Sequence, residues 1–353
     1  MSQPDSSRRR VQVRSVILSS ALVAILIAAI LVSAVVGQLP ISVTEVVGTI
    51  LTWLGISTSW APADPVIVAT LEVVRFPRIV MALAVGAALA VAGALMQAVF
   101  GNPLAEPGVV GVSAGAALGA STAIVFGIAA GGGGVALLAF LGGLGATLLV
   151  YAVARAGGRT EVVTLLLTGI AINAFAQAGL AFVLFLADTA SREQIVFWQL
   201  GSLAGSVWSE VTIVLPILIL GTILAVLLAS KLDLLSLGER NARHLGVDVE
   251  QLRIIAIVLV ALLTGVAVAF AGIIAFVGLV VPHIIRMALG PAHRGLLVAS
   301  AVGGGALLAI ADLMTRTLVS GADLPIGMLT ALVGGPFFFG LLYQQRRRSG
   351  GWA

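Results

Sequence analysis

The feature that most constrains this chain is a series of apolar stretches, each about as long as the hydrocarbon core of a membrane is thick. A helix needs about 20 largely apolar residues to cross a bilayer, and such stretches recur from Val16 onward. Of the 353 residues, 60% are hydrophobic and only 10% are charged. Because backbone polar groups in lipid must be bonded internally, the sequence predicts an all-helical membrane protein.

About ten transmembrane helices are predicted. The segment 277–290 is too short to cross a bilayer unaided, so it is either a half-span joined to its neighbour or a helix buried in protein. The chain then divides into a tail at 1–15, a membrane domain at 16–343 and a second tail at 344–353. The predicted spans are 16–36, 79–100, 108–128, 135–154, 163–187, 211–229, 252–275, 277–290, 296–318 and 326–343.

The distribution of basic residues predicts the orientation of these spans. Lysine and arginine collect in cytoplasmic loops. With the N-terminus inside, 15 of the 19 basic residues lie on the cytoplasmic side, and an even number of spans returns the C-terminus there. We expect a multi-pass protein of a bacterial inner membrane with both termini in the cytoplasm. The four exceptions are Arg75, Arg78, Arg192 and Arg316.

Several classes of protein are disfavoured. The chain has no cysteine, which excludes thiol nucleophiles and disulfide scaffolds. His244, His283 and His293 lack the spacing of a metal cluster, and no GxxxxGK[ST] loop is present to bind nucleotide. We therefore predict no catalytic residues, no metal and no cofactor on this chain, and no nucleic-acid partner.

A segment with two prolines separates the second and third predicted spans. Gln97 and Asn102 are followed by Pro103, Leu104 and Pro107, and then by glycines at 111, 115 and 119. Proline breaks the helix, and small residues at intervals of four let helices pack closely in lipid. On spacing alone, a well-packed hairpin explains this pattern equally well.

A short polar segment at 236–247 joins the sixth and seventh spans. Glu239 and Arg243 are four apart and can pair on a small helix, which Gly246 can end in a left-handed turn. A solvated surface turn would have a similar sequence. Further along, Asp312 lies well inside a span, and an ion pair with Arg316 one turn later is the simplest account of it.

Taken together, these elements resemble the FecCD family of permeases, which serve importers of iron siderophores, heme and vitamin B12. The resemblance covers about residues 40–345, and its motifs occur in the family's order. They are Arg75-Phe76-Pro77-Arg78, Gln97 to Pro107, Trp198-Gln199-Leu200-Gly201-Ser202-Leu203, Leu237-Gly238-Glu239 to Gly246-Val247, Phe276 to Pro282-His283 and Arg286, Ala311-Asp312 with Arg316, Leu324-Pro325-Ile326-Gly327, and Gly335-Pro336-Phe337-Phe338.

The resemblance implies the architecture of a type II ABC importer permease. It implies a homodimer around one translocation path, two ATPase subunits that bind ATP and Mg²⁺, and an extracytoplasmic substrate-binding protein. Roles then follow by position: docking of the binding protein at Arg75, Arg78 and Arg316; ATPase coupling at Gly238, Glu239, Arg243 and Gly246; a cytoplasmic gate at Asn102, Pro103 and Leu104; and structural motif positions at Gln97, Pro282, His283, Arg286 and Asp312.

The predicted function is therefore transport without enzymatic activity on this chain. We expect the cargo to be an iron chelate, either a ferric siderophore or heme, with cobalamin as the alternative. A secondary transporter driven by an ion gradient is a further alternative, which the shortage of carboxylates inside the spans disfavours. The residues that line the pore are not identifiable from the sequence.

Overall fold

The computed structural model describes residues 4–128, 133–156, 159–319 and 321–348, with side chains in 16–128, 133–155, 161–319 and 321–343. The basic side chains of the two predicted tails lie outside the described side chains. The predicted boundary at residue 15 falls inside a continuous helix, and the predicted boundary at 344 falls inside another.

Helices make up most of the described chain. A π-helical turn at Thr70–Arg75 joins α3 to α4, a 3₁₀ turn at Pro107–Val110 precedes α5, and two-residue strands β1 (Arg155–Ala156) and β2 (Arg159–Thr160) pair antiparallel. The helices are α1 Pro4–Val35, α2 Val43–Trp53, α3 Pro65–Ala69, α4 Phe76–Phe100, α5 Val112–Val125, α6 Gly134–Ala154, α7 Val162–Leu186, α8 Thr189–Leu200, α9 Trp208–Leu227, α10 Ala229–Leu235, α11 Glu239–His244, α12 Val249–Ala271, α13 Val277–Leu289, α14 His293–Thr315 and α15 Ile326–Arg348.

Each of the ten predicted spans coincides with one of these helices, and the predicted all-helical membrane fold is confirmed. Eight helical segments of the described chain are long and apolar enough to cross a membrane, while α5 and α13 are shorter apolar helices. At about 1.5 Å per residue, the 13 residues of α13 cannot cross about 30 Å of hydrocarbon. Its first turn packs against the middle of the bundle, where Gly278 meets Gly93 of α4.

Successive helices reverse direction, which gives the bundle two ends. We call them the α2 end and the α11 end. The α2 end carries the segments 36–64, 187–207 and 316–325, and the α11 end carries 101–106, 228–248 and 290–292.

The second membrane helix begins earlier than predicted. It runs from Pro65 through the π-helical turn to Phe100, whereas the predicted span began at residue 79. Asp64 caps its start by accepting a hydrogen bond from the Val66 N–H at 2.8 Å, and Pro65 occupies the first turn. Both are local start signals, and hydropathy alone overlooks them.

The segment between the first two spans also contains the amphipathic helix α2, which the sequence analysis did not predict. Ser42 and Glu45 form a capping box at its start. At its far end the Trp53 indole donates to the Glu72 carboxylate at 2.6 Å and meets the Phe76 ring edge-on at 5.0 Å. Helix α2 therefore contacts both the π-helical turn and the first residue of α4.

Helix α4 lies at the centre of the bundle. It packs against α9, α12, α13 and α14 and is buried along nearly its whole length, as expected for a helix that is apolar on all sides. A Cβ at Gly86 would overlap the carbonyl group of Gly304 in α14, and a Cβ at Gly93 would overlap that of Gly278 in α13. Glycine is therefore required where α4 meets both neighbours.

Two glycines of the third span, Gly115 and Gly119, pack closely against the next helix, as their spacing predicts. A Cβ on Gly115 or Gly119 would overlap backbone carbonyl oxygens of α6, those of Gly142 and Leu138 respectively. Gly111 has a different role, because its φ of +86° places it in the left-handed region at the N-terminus of α5. Close packing of α5 on α6 is thus confirmed.

We predict that Gly93→Ala destabilises the protein. The new methyl group must displace the α13 backbone, and overpacking of this kind costs about 1–3 kcal/mol, more than the gain in helix propensity of about 1 kcal/mol. Thermal unfolding of the purified protein measures the change. Gly295→Ala is the matched control, since Gly295 is an exposed position in α14 with open space around it. An equal melting temperature for the two variants would contradict the prediction.

Candidate functional site

A group of charged side chains lies where α4 and α14 meet at the α2 end. Arg75 ends the π-helical turn, Arg78 lies in the first turn of α4, and Asp312 lies in the last turn of α14. Arg316 caps α14, and Asp323 lies in the loop before α15. We call these five residues the arginine cluster.

Arg78 is the centre of this cluster. Its Nε lies 2.8 Å from Asp312 Oδ1, and its Nη1 lies 2.7 Å from Asp323 Oδ2. Arg316 Nε is farther from Asp312, at 3.6 Å from Oδ2. The expected pair of Asp312 with Arg316 one turn away is present but secondary, because the crossing of α4 over α14 brings a second arginine closer.

Arg75 is bound differently. Its guanidinium donates to backbone carbonyl oxygens at the end of α1, including Val35 at 3.0 Å, and also to those of Ala34 and Leu39. Among the described residues no carboxylate lies within 4 Å of it. Arg75 is only 4% exposed, so a positive charge is buried with no carboxylate beside it among the described residues.

A cavity of about 350 Å³ adjoins these groups. Arg75, Arg78, Arg316 and Asp323 line it, together with Gly37 to Leu39, Thr70, Val74 and Ala204. Three guanidinium groups and two carboxylates leave the arginine cluster with one excess positive charge. Such a cavity suits an acidic group that enters from the α2 end.

The sequence analysis assigned Arg75, Arg78 and Arg316 to a docking surface. The structure brings the three together, as that role requires, but buries them below the surface rather than exposing them. Their role in docking remains a prediction. The π-helical turn before α4 had no recognised sequence signal, although such turns often occur at functional positions.

At the α11 end, the predicted coupling segment forms the expected short helix. The Glu239–Arg243 pair is present at 3.5 Å. Gly238 and Gly246 flank the helix with φ of +100° and +85°, conformations that only glycine adopts without strain. The helix predicted for this segment is therefore confirmed, while its role in coupling is not tested.

A buried arginine fastens α11 to the bundle. Arg253 Nη2 lies 2.5 Å from Glu239 Oε1, and its Nη1 lies 3.7 Å from Glu250 Oε2. Glu250 in turn accepts a hydrogen bond from the Tyr151 hydroxyl at 2.9 Å. This network links α11 to α12 and α6. The sequence analysis missed Arg253, which is 14 residues from its partner.

The predicted gate turn also lies at the α11 end. Asn102 Oδ1 accepts a hydrogen bond from the Leu104 N–H at 2.9 Å, and Asn102 and Pro103 are exposed. Gln97, on the last turns of α4, donates to the Leu279 carbonyl oxygen at 3.3 Å and accepts from Arg286 Nη2 at 3.4 Å. Two of the predicted structural-motif residues are thus in contact.

The remaining motif residues lie on α13. Pro282 is inside the helix, and His283 beside it lies near the Pro103 carbonyl group. The predicted packing role of His283 fits this position. Among the described residues no group of histidine and carboxylate side chains could hold a metal ion.

Glu106 is a residue that the sequence analysis did not single out. It lies between α4 and α5, where burial raises the pKa of its carboxyl group, and a hydrogen bond from the Phe276 backbone acts in the opposite direction. Phe276, at the start of α13, has a φ of +67°, the only positive value among non-glycine residues of the described chain. Its ring fills the space over Gly334 of α15. The hydrogen bond of Glu106 thus joins the gate-turn loop to the start of α13, and the Phe276 ring joins α13 to α15.

A bundle of membrane-spanning helices with a charged cavity at one end and a fastened short helix at the other defines a polytopic membrane protein. The model of the FecCD transport family matches residues 25–344. The chain belongs to the FecCD transport family.

Known relatives share this fold along most of the chain. The hemin transport system permease protein of Yersinia pestis is 41% identical over 286 residues, which are 79% of this chain and 84% of the relative. The cobalamin import system permease protein of Halobacterium salinarum is 41% identical over 280 residues, 78% of this chain and 74% of the relative. A solved structure of an inward-facing metal-chelate type ABC transporter is similar with a TM-score of 0.80 and 33% identity, over 92% of this chain and 98% of that one.

We predict that Arg78→Gln destabilises the protein by about 3–5 kcal/mol, because it leaves the buried Asp312 without its closest cation. Asp312→Asn in the same chain should recover part of this loss, and a double-mutant cycle in thermal unfolding measures the coupling.

Arg192→Gln is the control, since Arg192 is an exposed cation at the same end and donates to carbonyl oxygens of α7. If Arg78→Gln and Arg192→Gln unfold at the same temperature, the contact of Arg78 with Asp312 does not stabilise the fold as predicted.

Proposed function

We propose that this chain is the membrane subunit of an ATP-driven, binding-protein-dependent importer of an iron chelate, either a ferric siderophore or heme. Two copies form the translocation path, and two ATPase subunits bind on the cytoplasmic side. The observation that carries the proposal is the match to the FecCD transport family over residues 25–344, combined with a short helix at one end that is fastened to two membrane helices.

The coupling role of α11 is supported by its attachment. A helix that transmits the motion of an ATPase must move together with the membrane domain. Gly238 and Gly246 set the direction of the chain at both ends of α11, and Arg253 binds Glu239 from within the bundle. In this proposal the α11 end faces the cytoplasm, as the positive-inside rule indicates.

Docking of the binding protein at the opposite end is supported by electrostatics. The arginine cluster holds three guanidinium groups against two carboxylates around a cavity of about 350 Å³. An acidic side chain of the binding protein that enters this cavity would neutralise the excess charge. In a mostly buried setting, such a pairing is screened less than one at an exposed surface.

An iron chelate is favoured by the similarity to a metal-chelate type ABC transporter and to the hemin permease. Cobalamin is the second candidate, because the relative named for cobalamin import has the same identity, 41%. An ion-coupled secondary transporter is disfavoured, since Asp312 is already bound by Arg78 and Arg316 and is therefore poorly suited to carry a proton or cation.

The function is tested by uptake of labelled heme, ferric siderophores and cobalamin in a strain that lacks the gene, with and without a plasmid copy. We expect the copy to restore uptake of one iron chelate. With a Glu239→Gln copy, the uptake rate should fall by about fivefold or more at unchanged protein level, because α11 loses its ion pair with Arg253.

Lys231→Gln is the control for this experiment, since Lys231 is an exposed cation in the neighbouring α10. If the plasmid copy restores uptake of cobalamin alone, the cargo is cobalamin and not an iron chelate. If Glu239→Gln transports as well as the parent while the chelate is taken up, α11 is not the coupling element. Uptake of none of the three cargoes would argue against the importer proposal.

We predict that Arg75→Gln weakens binding of the cognate substrate-binding protein by about three- to tenfold at low salt, since a favourable charge is lost from the cavity. The variant leaves no carboxylate without its cation, because none lies within 4 Å of Arg75 among the described residues. Affinity for the permease in nanodiscs at low and high salt measures the effect, and the difference between variant and parent should shrink as salt increases. Arg192→Gln is again the control, and an equal affinity of both variants would remove Arg75 from the docking site.

A further inference from the structure

Helix α2 leaves an apolar stripe exposed along one side. A helix turns by about 100° per residue, so residues spaced by four, three and four positions stay within about 60° of one another. We call four such residues the α2 stripe: Val43, Val47, Ile50 and the C-cap residue Leu54. Val43, Ile50 and Leu54 are 54%, 41% and 71% exposed, and Val47 is partly buried. A continuous apolar surface of this kind marks a contact with another protein or with a membrane.

The opposite side of α2 has a different character. Glu45 and Thr52 lie there, and Glu45 takes part in the capping box at the start of the helix. Gly48 lies on the same side and is covered by the chain itself, because a Cβ at this position would overlap the carbonyl group of Trp60. Helix α2 thus has a polar side that the following loop partly covers and an apolar side that stays open. This arrangement is typical of a helix that lies along a membrane surface.

The buried contact of α2 shows at which level of the membrane it lies. Val46 belongs to a cluster of buried side chains that includes Ala34 of α1 and Leu71 of the π-helical turn. The apolar part of α1, Val16–Val35, has 20 residues and is therefore about 30 Å long, close to the thickness of the hydrocarbon core. Ala34, one residue before its end, marks the boundary of the hydrocarbon. Helix α2 therefore lies at that boundary.

Two tryptophans lie at the same level. Trp53 at the end of α2 and Trp208 at the start of α9 meet edge-on, with ring centroids 5.9 Å apart. Both indole N–H groups donate to Glu72 at 2.6 Å, Trp53 to its carboxylate and Trp208 to its carbonyl oxygen. The two residues nevertheless remain 50% and 36% exposed. Tryptophan with a bonded N–H and an exposed ring is enriched where membrane and water meet.

We propose that α2 is an interfacial helix, which lies along the membrane surface at the α2 end with the α2 stripe among lipid acyl chains. A helix of this kind places its apolar side about 5–10 Å into the boundary between headgroups and acyl chains. Trp53 joins the helix to Glu72, three residues before Arg75. The membrane surface thereby supports the π-helical turn that ends in a residue of the arginine cluster.

The composition of the chain allows a direct test. Because the chain has no cysteine, one introduced cysteine carries a nitroxide label at a single position. The purified full-length chain is placed in phosphatidylcholine nanodiscs, with Ile50→Cys as the reporter of the α2 stripe and Thr52→Cys as the matched control. Thr52 is also exposed but lies on the opposite side of the same helix. Electron paramagnetic resonance then compares collisions with oxygen, which concentrates in lipid, and with a water-soluble nickel chelate.

We expect the ratio of oxygen to nickel collisions to be severalfold higher for Ile50→Cys than for Thr52→Cys, because the first label lies among acyl chains. Should Ile50→Cys fail to give folded protein, Leu54→Cys takes its place. Equal ratios for reporter and control overturn the proposal, because α2 then has no lipid-facing side. Low collision rates with both agents at the reporter also overturn it, since another protein surface, such as that of a second copy, would then cover the stripe.

Discussion

The rest of this structure depends on the close approach of α4 to α14 and α13. Helices in lipid gain little from the hydrophobic effect when they associate, so contact area and close packing hold them together. Gly86 on Gly304 and Gly93 on Gly278 bring backbones into direct contact at two levels of α4. These contacts fix the register of α4 against both neighbours, and the polar groups at its two ends can then meet their partners.

That register places charge at both ends of the same helix. Near the start of α4, Arg78 reaches Asp312 of α14, and near its end Gln97 reaches Arg286 of α13. Each end also holds a guanidinium with no carboxylate nearby among the described residues: Arg75 at the α2 end and Arg286 at the α11 end. A buried, uncompensated charge costs stability, and each of these two lines a cavity. In the proposed function, a carboxylate of the substrate-binding protein fills the first cavity.

The α11 segment has the opposite character, because its carboxylate is bound by two arginines of the same chain. Arg253 supplies a buried cation to Glu239 and Glu250, and Tyr151 extends the network to α6. Two glycines with positive φ turn the chain at either side of this helix. A short helix held in this way is joined to the bundle at several points, as the coupling role that we propose for it requires.

The sequence by itself determined the features that depend on neighbouring residues: the ten helical segments from apolar length, the α11 helix from the Glu239–Arg243 spacing and Gly246, and the close packing of α5 from Gly115 and Gly119. The start of the second membrane helix at Pro65 was also readable from Asp64-Pro65, although hydropathy concealed it. Only the tertiary structure decided that Asp312 is bound more closely by Arg78 than by Arg316, that Arg253 holds Glu239, and that Gln97 meets Arg286. These contacts join residues on different helices, and the reach of a side chain across two helices is set by their register and crossing, which no local pattern encodes.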